Sequence, residues 1–283
     1  MIPTIAVHDG PFHADDVFAC ATLLECFDAR IIRTRDSTQL AQANYRVDVG
    51  MRYDVSTHDF DHHQQQGAGM RPNGIPYASF GLVWKHFGTR LCEQVVVDYL
   101  DTSFVQHIDG PDNGVQILSA KEGFYVYSLH SLFLHMRPTW KEHDYDERFL
   151  EAVEFARVVL RNEIRHAQAT LEAQQRVAQA LEQRPHKSYV LFDQYLPWKE
   201  LVMADADILY VGYKKEDGSW ALQCVNSEPN SFAVRKSLPE AWWGQDENVL
   251  QTYAHGLLFC HRNGFLCVFA TKDDLVDTIQ KLV

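Results

Sequence analysis

The chain has 283 residues, 46% of them hydrophobic, enough to bury a substantial core in one large domain or two of ordinary size. A formal net charge of −12 excludes a broad basic face that grips long nucleic acid through its phosphates, so an anionic substrate needs a local positive site. Six cysteines without CxxC spacing read as reduced thiols of a cytoplasmic protein, and no apolar run approaches the roughly 18 residues of a spanning helix.

The start, IPTIAVHDG, lacks the basic and apolar regions of a secretory leader, so a soluble, unprocessed protein without a membrane partner is expected. Thr4 to Val7 reads as a strand, and Ala14 to Phe27 carries apolar residues at helical spacing. Ala29 to Thr34 and Tyr45 to Val49 read as further strands, with Ser37 to Ala43 as a short helix between them. Such alternation implies a parallel sheet, whose ligands collect at the carboxyl ends of its strands. Helices follow at Ser79 to Phe87 and Cys92 to Ile108, the second stopping near the turn-forming GPDNG. From Asp146 to Gln183 the sequence is rich in Ala, Glu, Gln and Arg without an internal Gly or Pro, which reads as one long helix.

Beyond Arg184-Pro185 the pattern changes to short strands at Ser188 to Phe192, Ile208 to Tyr213, Trp220 to Val225, Leu257 to His261 and Leu266 to Phe269. The expected organisation is α/β. Residues 1–145 form a parallel-sheet domain, 146–184 a connecting helix, and 185–283 a smaller α+β domain. Trp198, Trp220, Trp242 and Trp243 read as packing residues. The apolar residues Val153, Phe155, Val158, Leu160 and Ile164 exceed what one helix face needs, which points to a homodimer.

Chemistry concentrates in the first 115 residues. In VHDGPFHADD, a strand gives way to a helix within eight residues, so His8, His13 and Asp15 can converge on a cation; Asp15 or Asp16 can equally cap the helix. Asp48, in RVDVG, ends a buried strand, where a carboxylate needs a partner unless it serves an Asx turn. THDFDHHQQQ places His62 and His63 after an aspartate, so that one imidazole can bind a metal while the other binds an anion or supports a metal ligand from behind. Imidazole and carboxylate ligands suit Mn²⁺, Zn²⁺ or Fe²⁺ better than Mg²⁺. In HIDGPDNG, Asp109 is the candidate last ligand, while Asp112 and Asn113 read as turn residues.

The ordered series HDGPFHADD, RTRD, DVG, DHHQ and DNG resembles the DHH phosphoesterase superfamily. NGIPYASFGLVWKHFG and SLPEAWWG resemble the melanocyte-proliferating-gene (MYG-type) exonuclease family within or beside it. The resemblance implies a DHH-type catalytic domain followed by a substrate-gripping domain. It assigns two divalent ions, with Mn²⁺ favoured: one on His8, His13 and Asp48, the other on Asp15, Asp48, His62 and Asp109. Asp48 would bridge them, and His63 would lie near the scissile phosphate. Such a pair, roughly 3.5–4 Å apart, activates water for in-line displacement at phosphorus.

Cations to neutralise the phosphate are sought in Arg35, Arg71, Arg235, Lys236 and His261; the stretch NSFAVRKSLPEAW resembles the family's second-domain signature. Where relatives carry a carboxylate, this chain has His13, and Asp59 and Gln65 stand where basic residues are expected. The activity implied is 3'-to-5' exonucleolytic hydrolysis of RNA or short oligonucleotides. Its rivals are hydrolysis of a small phosphate ester, such as pyrophosphate, a cyclic dinucleotide or a nucleotide phosphate, and a non-catalytic metal-stabilised binding protein.

Overall fold

A computed structural model describes residues 2–229 and 231–283; Asn230, in the NSFAVRK stretch, lies outside them. The chain is of the mixed α/β class, with two five-stranded sheets. It divides into two compact units, Met1–Gln168 and Ala169–Val283.

In the first unit, β1 (Thr4–Val7), α1 (Ala14–Cys26), β2 (Arg30–Arg33), α2 (Ser37–Gln42), β3 (Tyr45–Val47), β4 (Tyr53–Asp54) and β5 (Asp59–Phe60) follow in turn. The sheet order is β2-β1-β3-β5-β4. The β1–β2, β1–β3 and β3–β5 pairs are parallel and only β4–β5 is antiparallel. The carboxyl ends of β1, β3 and β5 therefore share one edge, which is what places His8, Asp48 and Asp61 near one another. β1 is buried along its whole length, as a central parallel strand requires.

The helices of this unit are α3 (Ser79–Phe87), α4 (Gln94–Leu100), α5 (Gln106–Asp112) and α6 (Leu129–Met136). Phe18 of α1 is their common centre, with the rings of Phe80, Phe104 and Phe133 each 5.3 Å away. The expected single helix from Cys92 to Ile108 is instead interrupted by a wide π turn at Asp101–Val105 and runs on to Asp112. That extra turn rephases the helix, so Asp112 is a helix-end residue.

The long helix α7 (Tyr145–Glu182) is present, and burial accounts for part of its apolar excess. Phe149, Ala152, Val153, Ala156 and Leu160 form an i, i+3, i+4 stripe within the first unit, whereas Phe155 and Val158 stay exposed. The boundary between the units falls within α7.

The second unit contains β6 (Tyr189–Phe192), α8 (Lys199–Ala204), β7 (Tyr210–Lys214), β8 (Trp220–Cys224), α9 (Glu247–Tyr253), β9 (Leu257–Cys260), β10 (Leu266–Phe269) and α10 (Lys272–Leu282). Its sheet order is β6-β7-β8-β10-β9, with only β6–β7 parallel. Alternate residues serve opposite faces. Tyr189 and Tyr210 pack with Leu275 and Ile279 of α10, while Val190 and Val211 pack with Ala173 and Val177 of α7. Both faces are covered, so β6 and β7 read as continuous apolar runs. Among the described residues, no helix is long and apolar enough to cross a membrane.

Candidate metal centre

Three overlapping groups of metal-type ligands form at the carboxyl edge of the first sheet: His8 with Asp16 and Asp48, Asp48 with His62 and His63, and Asp15 with His62 and Asp112. Asp48 joins the first two. Its Oδ2 lies 3.3 Å from His8 Nε2, while Oδ1 lies 3.4 Å from His62 Nε2 and 3.3 Å from His63 Nδ1. Ser79 Oγ donates to Oδ1 at 2.9 Å. Asp48 adopts a left-handed backbone, φ 53°, a strained conformation for a residue with a Cβ that is characteristic of functional sites.

The two buried histidines are held alike. His8 Nδ1 donates to the Asp9 carbonyl at 3.0 Å, and His62 Nδ1 lies 3.3 Å from Asn113 Oδ1. An oxygen partner on Nδ1 fixes the proton there and leaves Nε2 to face the carboxylates. His8 Nε2 is 3.0 Å from Asp16 Oδ2, and His62 Nε2 is 3.1 Å from Asp112 Oδ2. Although these atoms are close, His62 Nε2 and Asp16 Oδ2 are buried without hydrogen-bond geometry among the described residues. They converge on shared space, as ligand atoms do.

The carboxylates are positioned by main-chain donors. Asp15 accepts from Ser79 N at 3.0 Å and Phe80 N at 2.7 Å, at the start of α3. Asp16 Oδ1 accepts from His13 N at 2.8 Å and so tightens the entry to α1, leaving Oδ2 turned to His8. Asp61 accepts from Met51 N at 2.6 Å and holds His63 Nδ1 at 2.8 Å.

Burial raises the Asp15 and Asp16 carboxyls above their usual range, with Asp112 and Asp48 adding to the effect at Asp15. At Asp48 burial acts upward too, but the close imidazoles of His62, His63 and His8 outweigh it and hold the group well below its usual value. At His8 and His62 burial is likewise overcome by carboxylate partners, which raise them to about 10 and about 11; Asp48 and Asp61 raise His63 to about 9. The cluster therefore takes up positive charge readily. Its imidazole and carboxylate donors fit a borderline divalent cation, which would take the place of those protons.

The structure brings together His8, Asp15, Asp48, His62 and His63 of the expected residues, and adds Asp16 and Asp112. His13 stacks on His130 at 6.1 Å and is in none of the three groups. Asp109 is also outside them, because its Oδ2 pairs with Arg71 Nη2 at 2.8 Å and its Oδ1 accepts from Gly81 N at 3.0 Å. Arg71, sought as a phosphate contact, is buried between Asp101 and Asp109 with its guanidinium over Tyr77.

Arg35 is exposed and pairs with Asp9 at 3.0 Å. Arg235 donates to the carbonyls of Asp205, Ile208 and Met203 at 2.6–2.7 Å, and Lys236 donates to the Leu282 carbonyl. Both cations are thus engaged by their own unit. His261, beside Phe265, lines a cavity of about 570 Å³ in the second unit with Lys199, Asn226, Phe232 and Asn263.

A largely parallel sheet edged by buried histidines and aspartates defines an α/β protein with a candidate metal centre. Over residues 4–282 the chain matches the MYG1 exonuclease family, described as an uncharacterised protein family (UPF0160), and it belongs to that family. It is 32% identical to the human MYG1 exonuclease, across 96% of this chain and 83% of the human protein. It is 31% identical to the MYG1 protein of Chlamydia muridarum, across 98% and 95% of the two chains. A solved structure, the pGpG-specific phosphodiesterase PggH of Vibrio cholerae, is similar across 99% of this chain and 96% of that one; at 12% identity and a TM-score of 0.29 the likeness carries no argument.

Proposed function

We propose that the chain is a metal-dependent phosphoesterase of the DHH type that hydrolyses phosphodiester bonds, acting as a 3'-to-5' exonuclease on RNA or short oligonucleotides. The observation that carries this reading is Asp48, whose two oxygens face different ligand groups. A carboxylate so shared is what a two-ion centre needs. Membership of a family whose human relative is called an exonuclease supports the same reading.

Two divalent ions, Mn²⁺ by preference, would be held by His8, Asp16 and Asp48 on one side and by Asp15, Asp48, His62 and Asp112 on the other. When bound they supply an acidified water and positive charge for displacement at phosphorus. Asp61 orients His63, whose ring is half exposed and so reaches a phosphate at the cluster's mouth. Ser79 keeps Asp48 turned between the two groups.

A second reading, hydrolysis of a small phosphate ester, is favoured by the engagement of Arg71, Arg235 and Lys236 with protein groups and by the charge of −12. These three are therefore not free to track a long strand. The experiment that separates the two is turnover of RNA, DNA, dinucleotides and pyrophosphate with Mn²⁺, Mg²⁺ and Zn²⁺ in turn. Activity that grows with oligonucleotide length and falls steeply with salt supports the exonuclease; activity confined to dinucleotides or pyrophosphate supports the second reading; none with any metal contradicts both. We place the protein in the cytoplasm, where its six free thiols suit a reducing environment. Phe155 and Val158 offer a surface for a homodimer.

A further inference from the structure

Helix α6 carries His130 and Phe133, and Arg137 is its C-cap; their spacings of three and four place them on one side of the helix. Phe133 is fully buried against Phe18 and thereby fixes that face towards the core beside the metal centre. Ser128 caps the helix start by accepting from Ser131 N, and Arg137 closes its end with an extended backbone, as a residue before proline must.

One peptide group ties Arg137 to the ligand cluster. Arg137 Nε donates to the Phe12 carbonyl, and the N–H of that same peptide, on His13, donates to Asp16 Oδ1 at 2.8 Å. The guanidinium thus stands one peptide away from a carboxylate that faces His8. His130 stacks on His13 at 6.1 Å with the rings 14° from parallel. Arg137 Nη2 is buried and has no hydrogen-bond partner among the described residues, so one strong donor of this guanidinium is left unsatisfied.

The surrounding charges agree. Burial pushes the Arg137 guanidinium below its ordinary value, while Asp16, Tyr145 and Asp112 act in the opposite direction. Asp16 and Asp112 belong to different ligand groups, so Arg137 senses both halves of the cluster. Burial first, then His13 and Arg137, hold His130 below its usual range, against Asp112. A neutral imidazole beside a guanidinium can donate one hydrogen bond to an oxyanion without adding a second charge.

We infer that His130 and Arg137 form an anion seat that holds the substrate's phosphate oxygens against the metal centre, with the guanidinium matching the phosphate in charge and fork geometry. The inference deepens the phosphoesterase reading and rests on it for the identity of the anion.

The test is calorimetric binding of inorganic phosphate to the full chain loaded with Mn²⁺, for wild type, Arg137→Gln, Arg137→Lys and His130→Asn, with manganese content and Tm recorded. Loss of one charge-assisted pair should weaken phosphate about tenfold or more in Arg137→Gln, partly restored in Arg137→Lys, with manganese content unchanged. Hydrolysis of bis(4-nitrophenyl) phosphate should show the same loss mainly in KM. Phosphate affinity unchanged in a folded Arg137→Gln overturns the seat, as does a wild type that binds no phosphate. A loss that tracks manganese content also overturns it, since Arg137 would then only support the ligands. If Arg137→Gln does not fold, Arg137→Lys and His130→Asn are judged by the same criteria. A wild type that binds phosphate through Arg137 yet hydrolyses no phosphodiester defeats the proposed function and leaves the seat standing.

Discussion

Arg71 Nη2 lies 2.8 Å from Asp109 Oδ2, and both side chains are shut away from water, at 2% and 0% exposure. Asp101, on the π turn, grips the same guanidinium at 2.7 Å. Removing one member of such a pair strands a buried charge. Arg71→Ala should therefore destabilise the first unit by about 3–5 kcal/mol, read as a lowered urea midpoint. A change under about 1 kcal/mol would show the network to be peripheral.

Gly81 stands where α3 passes this network. A Cβ there would meet Asp109 Oδ2 at 1.8 Å and Arg71 Nη2 at 2.7 Å, neither of which can retreat without breaking the pair. Gly81→Ala should thus cost about as much as breaking the ion pair itself, although alanine favours helices. Thermal unfolding should show a clear fall in Tm, and a rise would mean that the network has slack.

The strand ends at His8 and Asp48 were legible in the sequence because short apolar runs break into polar residues there, whereas the two-residue strand Asp59–Phe60 before Asp61 carries no such run. Asp16 was harder to read, since an acid in the first turn already has a reason to be there; its two oxygens divide between helix entry and His8. Asp112 was hidden by GPDNG, which has the composition of a turn, while the π turn upstream carries the helix on to it. Tertiary pairing also decided Arg235, whose guanidinium meets carbonyls of residues 203, 205 and 208; no local pattern announces such contacts. His130 and Arg137 follow a helical spacing around Phe133, but they gain meaning only from the peptide shared with Asp16.

Asp112 and Asp109 lie three residues apart and should behave differently. Asp112→Asn should weaken binding of one Mn²⁺ by about 10–100-fold or more with little change in stability. Asp109→Asn should do the reverse, because Asp109 serves Arg71 and Gly81. Calorimetric Mn²⁺ titration beside urea unfolding separates them, and equal loss of metal in both variants would return Asp109 to the ligand set.

Glu25 accepts from Arg157 at 2.6 Å and from Arg161 at 2.8 Å, tying α1 to α7. Arg161, opposed by burial and aided by Arg157, holds its carboxyl below the ordinary 4.5. Because the folded value is depressed, this contribution is present above pH 4.5 and is lost as pH falls through the folded value. Glu25→Gln should melt below wild type at neutral pH, and the two Tm values should converge in acid. A gap that widens on acidification would reverse the sign of the linkage.

The central claim is that Asp48 is the carboxylate shared by a two-ion centre, and anomalous diffraction from crystals soaked in Mn²⁺ tests it most directly. The expected result is two peaks roughly 3.5–4 Å apart with Asp48 between them, and loss of at least one peak together with phosphodiester turnover in Asp48→Ala. Two peaks and normal turnover in Asp48→Ala, or ions bound away from Asp48 in the wild type, would contradict it.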